Sequence, residues 1–182
     1  MIFGLRGSNV LTPKEDDRPS CQAPRRHLDE DYWRVQVSTS IQERVRCEVE
    51  DLHEFFTGWF TGRLPEGDFE SKFLARFSPG FVFIPPAGRL LGIEDLSASL
   101  RAGYASNPDF RVQIRSVAVR RQFDGCVLAT YEEWQRNALA SIPPDNGRIS
   151  TVLFSSGDPL RWLHIHETWL PGDIIAAGPY DF

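Results

Sequence analysis

The sequence predicts an α+β fold, in which a curved antiparallel sheet wraps a long N-terminal helix and two further helices join it, forming a cone with an opening. Three observations carry that expectation. A long amphipathic helix pattern begins at Ser40, alternating strand patterns fill the chain from Phe110 to Leu170, and a short helix, a hairpin and a third helix lie between them.

The first helix has a start, a stripe and a stop. Ser40 followed by Glu43 is a capping-box pattern, in which each side chain satisfies the other's backbone N–H. Ile41, Val45, Val49, Leu52, Phe56, Trp59 and Phe60 then recur at spacings of three and four, one apolar stripe on a helix. Gly62 and Pro65 end it. Asp68 to Phe77 predicts a short second helix with Phe69, Phe73 and Phe77 on one face, broken by Ser78-Pro79-Gly80. Phe81–Ile84 and Arg89–Leu91 read as two short strands around Pro85-Pro86-Ala87-Gly88. A third helix is expected from Ile93 to Tyr104, with Ile93, Leu96 and Leu100 on one side.

The rest reads as strands. Phe110, Val112 and Ile114 alternate, and Val117 and Val119 continue after a phase change that marks a bulge. Asp124-Gly125 is a hairpin signal, and Cys126–Arg136 is the strand behind it. Arg148–Ser156 follows, Gly157-Asp158-Pro159 turns the chain, and Arg161–Leu170 is the last strand.

Composition bounds the function classes. The 182 residues are 41% hydrophobic and 12% aromatic, enough for a packed core in one domain. Residues 1–38 mix prolines with charges of both signs and read as an irregular extension, whose Tyr32, Trp33, Val35 and Val37 dock onto the domain. The domain itself spans 39–173, followed by a tail over 174–182. A net charge of -5 and a pI near 5.4 argue against nucleic-acid binding, which needs a basic patch. Cys21, Cys47 and Cys126 are odd in number and widely spaced, so neither a disulfide framework nor a zinc knuckle is predicted. No apolar run reaches the ~18–20 residues that cross a bilayer, and the expectation is a cytoplasmic protein without membrane contact.

Three stretches carry a resemblance: FFTGWFTGRL (55–64), FSPGFVFIPPAGRLLGIEDL (77–96) and STVLFSSGDPLRWLHIHETWLPGD (150–173). On these, Glu43 to Pro171 resembles the nuclear transport factor 2-like (NTF2-like) superfamily. Within it, the chain is similar to SnoaL-like and DUF4440-type domains and to the association domain of calcium/calmodulin-dependent protein kinase II. The resemblance implies the cone fold and a homodimer built on the outer sheet face, with Trp134 and Trp169 as candidate contacts. It leaves the function open, because isomerases, cyclases, dehydratases, carriers and oligomerising modules share this fold. Where the kinase association domain ends its His-x-His strand with Arg-Ser-Gly, this chain has Glu167-Thr168-Trp169.

Alternation along the last strand places Trp162, His164, His166 and Thr168 on one face and Leu163, Ile165, Glu167 and Trp169 on the other. With the first set inward, two imidazoles and a hydroxyl line a pocket, where histidine serves as acid, base or anchor. Tyr131, Glu133 and Gln135 share a face of their strand, and a carboxylate inside an apolar cone is a candidate base. The catalytic candidates are therefore His164, His166, Glu133 and Tyr131. His53 beside the helix stripe, Trp59, Phe83, Tyr104, Trp162 and Thr168 are the ligand-binding candidates. His164 and His166 could chelate a metal only with a further ligand such as Glu133 or His53, and no spacing supports one, so no metal or cofactor is expected. The functional expectation is a domain binding a small apolar or carbonyl-containing molecule. The alternatives are a cofactor-independent isomerase, dehydratase or cyclase, and an oligomerisation module.

Overall fold

The computed structural model describes residues 40–182. The extension expected up to residue 38, with its docking residues, lies outside the described residues.

Helix α1 spans Ile41–Phe60, as its stripe predicts. Ser40 Oγ accepts from the backbone N–H of Glu43 at 3.2 Å, while the Glu43 carboxylate is engaged by Arg46. The helix stops at Thr61, and Gly62 follows with φ +71°, the left-handed position that lets the backbone N–H groups of Arg63 and Leu64 bond back to Gly58 O. The second helix is shorter than expected. Helix α2 holds only Phe69–Lys72 between single 3₁₀ turns, because Phe77 already opens strand β1 (Phe77–Ile84). Ser78-Pro79-Gly80 lies within that strand as an irregularity in its register rather than before it. Strand β2 is the pair Leu91–Gly92, and α3 covers Ile93–Ala102.

Four long strands complete the sheet: β3 (Arg111–Phe123), β4 (Cys126–Arg136), β5 (Asn146–Ser155) and β6 (Arg161–Trp169). The bulge expected in β3 is present, with Ser116 at φ +56° and the register shifting between Arg115 and Ala118. The Gln42 side chain of α1 bonds the backbone groups exposed there, donating to Val117 O at 2.9 Å and accepting from Val119 N at 2.8 Å. Asp124 and Gly125 both take positive φ in the β3–β4 hairpin, as the dipeptide predicts.

The sheet order is β2-β1-β6-β5-β4-β3, curved and unclosed. It is mixed rather than wholly antiparallel, because β1 pairs with β6 in parallel. Hairpin signals predict only sequential antiparallel partners, and β1 meets β6 across most of the domain. Aromatic rings bind the helices to the sheet. Phe55 stacks on Phe73 at 5.4 Å, Phe73 meets Phe77 at 4.8 Å, Phe77 meets Phe81 at 4.5 Å, and Phe154 meets Trp162 at 4.6 Å.

The chain does not end as a plain tail. Helix α4 (Gly172–Ala177) leads to Tyr180, whose ring lies edge-on to Trp134 at 5.8 Å. Trp134, expected at a partner surface, is thereby buried within its own chain, only 2% exposed. Trp169 stands on the same side of the sheet as Glu167, under the Arg148 guanidinium at 4.9 Å, and not on the outer face.

Candidate functional site

The β6 bulge decides which side chains enter the cone. Phe154 pairs with Trp162 and Leu153 with His164, so Leu163 is an extra residue that resets the alternation. Trp162 points inward before the bulge, and Ile165 and Glu167 point inward after it. The expectation that His164, His166 and Thr168 share the Trp162 face is corrected accordingly. His166 and Thr168 are exposed, His164 is half-buried, and none of the three lines the cavity.

That cavity, about 320 Å³, lies between α1, α3 and the concave face of the sheet. One wall is apolar, formed by Phe56, Phe60, Phe83, Leu96, Phe110 and Ile165. The other is polar, formed by His53, Tyr131, Glu133, Gln135, Arg148 and Glu167. Ala140, on the loop between β4 and β5, lines both the cavity and an adjoining hollow that shares Gln135 and Arg148. Of the sequence candidates, His53, Phe83, Tyr131 and Glu133 are therefore in the cavity. Trp59 is not. It packs on Tyr104 at 4.6 Å and donates its indole N–H to Leu100 O at 2.7 Å, tying α1 to α3. Tyr104 donates to Leu64 O at 2.9 Å, and Trp162 donates to Glu48 Oε1 at 2.7 Å, so both are engaged in packing.

The polar wall is one connected network. His53 Nδ1 lies 2.7 Å from Val49 O, which only accepts, so Nδ1 carries a hydrogen. Its Nε2 lies 3.2 Å from Glu133 Oε2. Gln135 Nε2 donates to Glu133 Oε1 at 2.6 Å and turns its oxygen to Arg148 Nη2 at 2.7 Å. Arg148 Nη2 also reaches Asn146 Oδ1 at 3.1 Å, and Nη1 donates to Glu167 Oε2 at 3.0 Å. Ser150 Oγ donates to Glu167 Oε1 at 3.4 Å.

Two buried carboxylates thus compete for one guanidinium, and their titrations part. Burial alone pushes Glu133 up, but the Arg148 charge, followed by the charge and hydrogen bond of His53, overrides it and holds the carboxyl at about 2. Burial and then the neighbouring Glu133 charge push Glu167 up to about 7, against the pull of Arg148. Burial, reinforced by both carboxylates, raises the Tyr131 phenol well above its usual range, so it stays protonated. Perturbed groups of this kind facing a concave pocket mark a candidate functional site.

Sequence reasoning placed neither Arg148 nor Glu167 here. The signal for Arg148 is present: Val152 and Phe154 are core residues, and counting back by twos puts Ser150, Arg148 and Asn146 on their face. Among the described residues, no group of three or more His, Cys, Asp or Glu side chains converges to hold a metal. His164 and His166 lie on the opposite side of the sheet from His53 and Glu133. No helix of the described residues is long and apolar enough to cross a membrane.

No family model matches the chain. Over 133 residues it is 29% identical to sucrose-phosphatase 1 of Nicotiana tabacum, a match that takes in 69% of this chain and 30% of that protein. Sucrose-phosphatase 2 of the same plant is 25% identical over 135 residues, with the same shares. The chain therefore spans less than a third of the length of these curated relatives. Among solved structures, an NTF2-like protein of unknown function from Pseudomonas aeruginosa superimposes with a TM-score of 0.62 at 23% identity, covering 70% of this chain and 99% of that one. The CamKII hub homology domain of Chlamydamonas reinhardtii gives a TM-score of 0.50 at 17% identity, covering 68% and 96%. The chain has the NTF2-like cone fold.

Proposed function

We propose that this domain binds a small, largely apolar molecule in the cone, with the polar end of the ligand against the His53–Glu133–Gln135–Arg148–Glu167 wall. One observation carries the reading: an apolar cavity of about 320 Å³ faces a single buried, hydrogen-bonded polar network. Ligand sites combine a mostly apolar lining with a few fixed polar groups in this way. A folded core has no need to bury two carboxylates and an arginine, since apolar residues of similar volume serve stability as well. His53, Phe83, Tyr131 and Glu133 keep their proposed roles in this site. His164, His166 and Thr168 are not proposed as pocket residues.

The test is a ligand-observed NMR screen of ketones, alcohols, carboxylic acids and sugars, the last because the relatives are sucrose-phosphatases. Ala140→Trp is the control. Ala140 is exposed yet lines the cavity, so its replacement plugs the entrance without disturbing the core. Compounds that bind the native chain and not Ala140→Trp support the reading; compounds indifferent to the plug contradict it.

A second reading, a cofactor-independent isomerase, dehydratase or cyclase, is favoured by the proton inventory. Glu167, at about 7, can both give and take a proton near neutrality. Tyr131 keeps its hydrogen for an oxyanion. On this reading Glu167→Gln abolishes turnover of a bound carbonyl compound while leaving its binding intact. Equal turnover rules Glu167 out as the proton carrier.

The outer sheet face is the expected homodimer surface, with Ile149, 39% exposed, among its large apolar residues. An oligomerisation module is the reading that the likeness to a CamKII hub homology domain supports.

A further inference from the structure

Three of the five N–H groups of Arg148 are matched: one on Nη1 by Glu167, and both on Nη2 by Gln135 and Asn146. The Nε–H is buried and meets no acceptor among the described residues, although the residue is only 9% exposed and lines the cavity. A buried, unmatched donor on a cation loses its hydration with nothing to offset the loss. It is an exception that calls for an explanation. Because the side chain that carries it lines the cavity, a small shift of the guanidinium brings this donor to an acceptor carried by a ligand.

The donors left over also say which acceptor. A carboxylate or phosphate pairs best with two parallel N–H groups of a guanidinium, and here both Nη2 hydrogens are taken, so neither paired edge is free. Glu133 and Glu167 flank the same guanidinium and repel an incoming anion. Glu133, Gln135 and Ser150 are already bonded within the wall, so the site has little left for a molecule carrying many hydroxyls. An Nε–H without a free parallel neighbour, beside two carboxyl groups, fits a neutral ligand with one strong acceptor oxygen.

Resting on the cavity reading above, we propose that Arg148 Nε–H anchors the carbonyl oxygen of a neutral, apolar ketone, aldehyde, ester or amide, and that Glu133 and Glu167 exclude the corresponding acid. Arg148 is then both anchor and selectivity residue. The exclusion depends on pH through Glu167, which faces Arg148 and Ser150 on β5, Glu133 and Tyr131 on β4 and His53 on α1. When Glu167 takes up a proton, one of the two repelling charges disappears and the penalty on an anion falls.

Three matched probes test this on the full chain by calorimetry: benzylacetone, the alcohol made by reducing it, and hydrocinnamate. The C=O stretch of bound benzylacetone is read by difference infrared spectroscopy. Above the pH at which Glu167 ionises, benzylacetone is expected to bind about tenfold tighter than hydrocinnamate, the size of one charge-assisted hydrogen bond gained or lost. Its carbonyl band shifts to lower frequency, and the margin over the acid narrows as the pH falls below about 7. Arg148→Lys keeps the charge and removes the Nε–H, so it loses the band shift. Hydrocinnamate binding as tightly as the ketone, an unshifted carbonyl band in the native chain, or a shift that survives Arg148→Lys overturns the anchor assignment. The cavity reading survives that outcome if Ala140→Trp still blocks the probes. Failure of all three probes to bind overturns the anchor assignment, while a sugar or other hit in the plug-controlled screen would still leave the cavity reading in place.

Discussion

Arg148 and Glu167 form the part of the site where a single atom matters most. Glu167 protonates more readily folded than unfolded, since its carboxyl is raised from 4.5 to about 7. Its contribution to stability is therefore greatest below pH 4.5 and is lost as pH rises through about 7. Glu133 has the opposite sign, because its folded value of about 2 lies below 4.5, and its contribution fades only as pH falls toward 2. Chemical denaturation across neutral pH should show stability declining between pH 4.5 and about 7 in the native chain, with that slope removed in Glu167→Gln. An unchanged slope would place the titration elsewhere. That Tyr131, Glu133 and Gln135 share one face was legible because β4 runs without a register break from Cys126 to Arg136, although the alternation alone does not say which face is inside. Glu167 was not, because one extra residue, Leu163, reverses the parity of everything after it. Parity is countable only along an unbroken ladder, and an apolar leucine in a bulge looks like any other strand residue.

At the scale of elements, the inner and outer faces of β4 and β5 are held in place by how Trp134 lies on its neighbour. Gly147 sits opposite Trp134, and a Cβ there would come within 2.7 Å of the indole ring and 3.1 Å of Leu170. The ring is rigid and covered by Tyr180, so it has little freedom to retreat. Gly147→Ala should therefore cost about 1–3 kcal/mol in a denaturant titration, the usual penalty of overpacking. A neutral result would mean that the C-terminal segment yields instead. Helix α1 and the β3–β4 hairpin were legible because their signals are local: a cap, a stripe, an Asp-Gly turn. The parallel β1–β6 pair and the packing of α4 and Tyr180 against Trp134 were not, since contacts between distant parts of the chain leave no local pattern.

At the scale of the whole molecule, the cone offers two surfaces with different work. Its inside holds the polar network, and its outside carries Ile149 among Thr151, His166 and Thr168. If that outer face joins two copies, sedimentation should give twice the 20.7 kDa chain, and Ile149→Asp should return it to the monomer mass. A native monomer, or a dimer that tolerates the aspartate, places the interface elsewhere. The fold class followed from the order of elements, but the same cone serves binding and catalysis in many proteins, so the function rests on the cavity. Native mass spectrometry of the native chain and Ala140→Trp, purified in parallel from the same cells, tests that claim most directly. The predicted result is a small-molecule adduct carried by the native chain and missing from the plugged one. The same adduct on both, or no adduct on either, would contradict it.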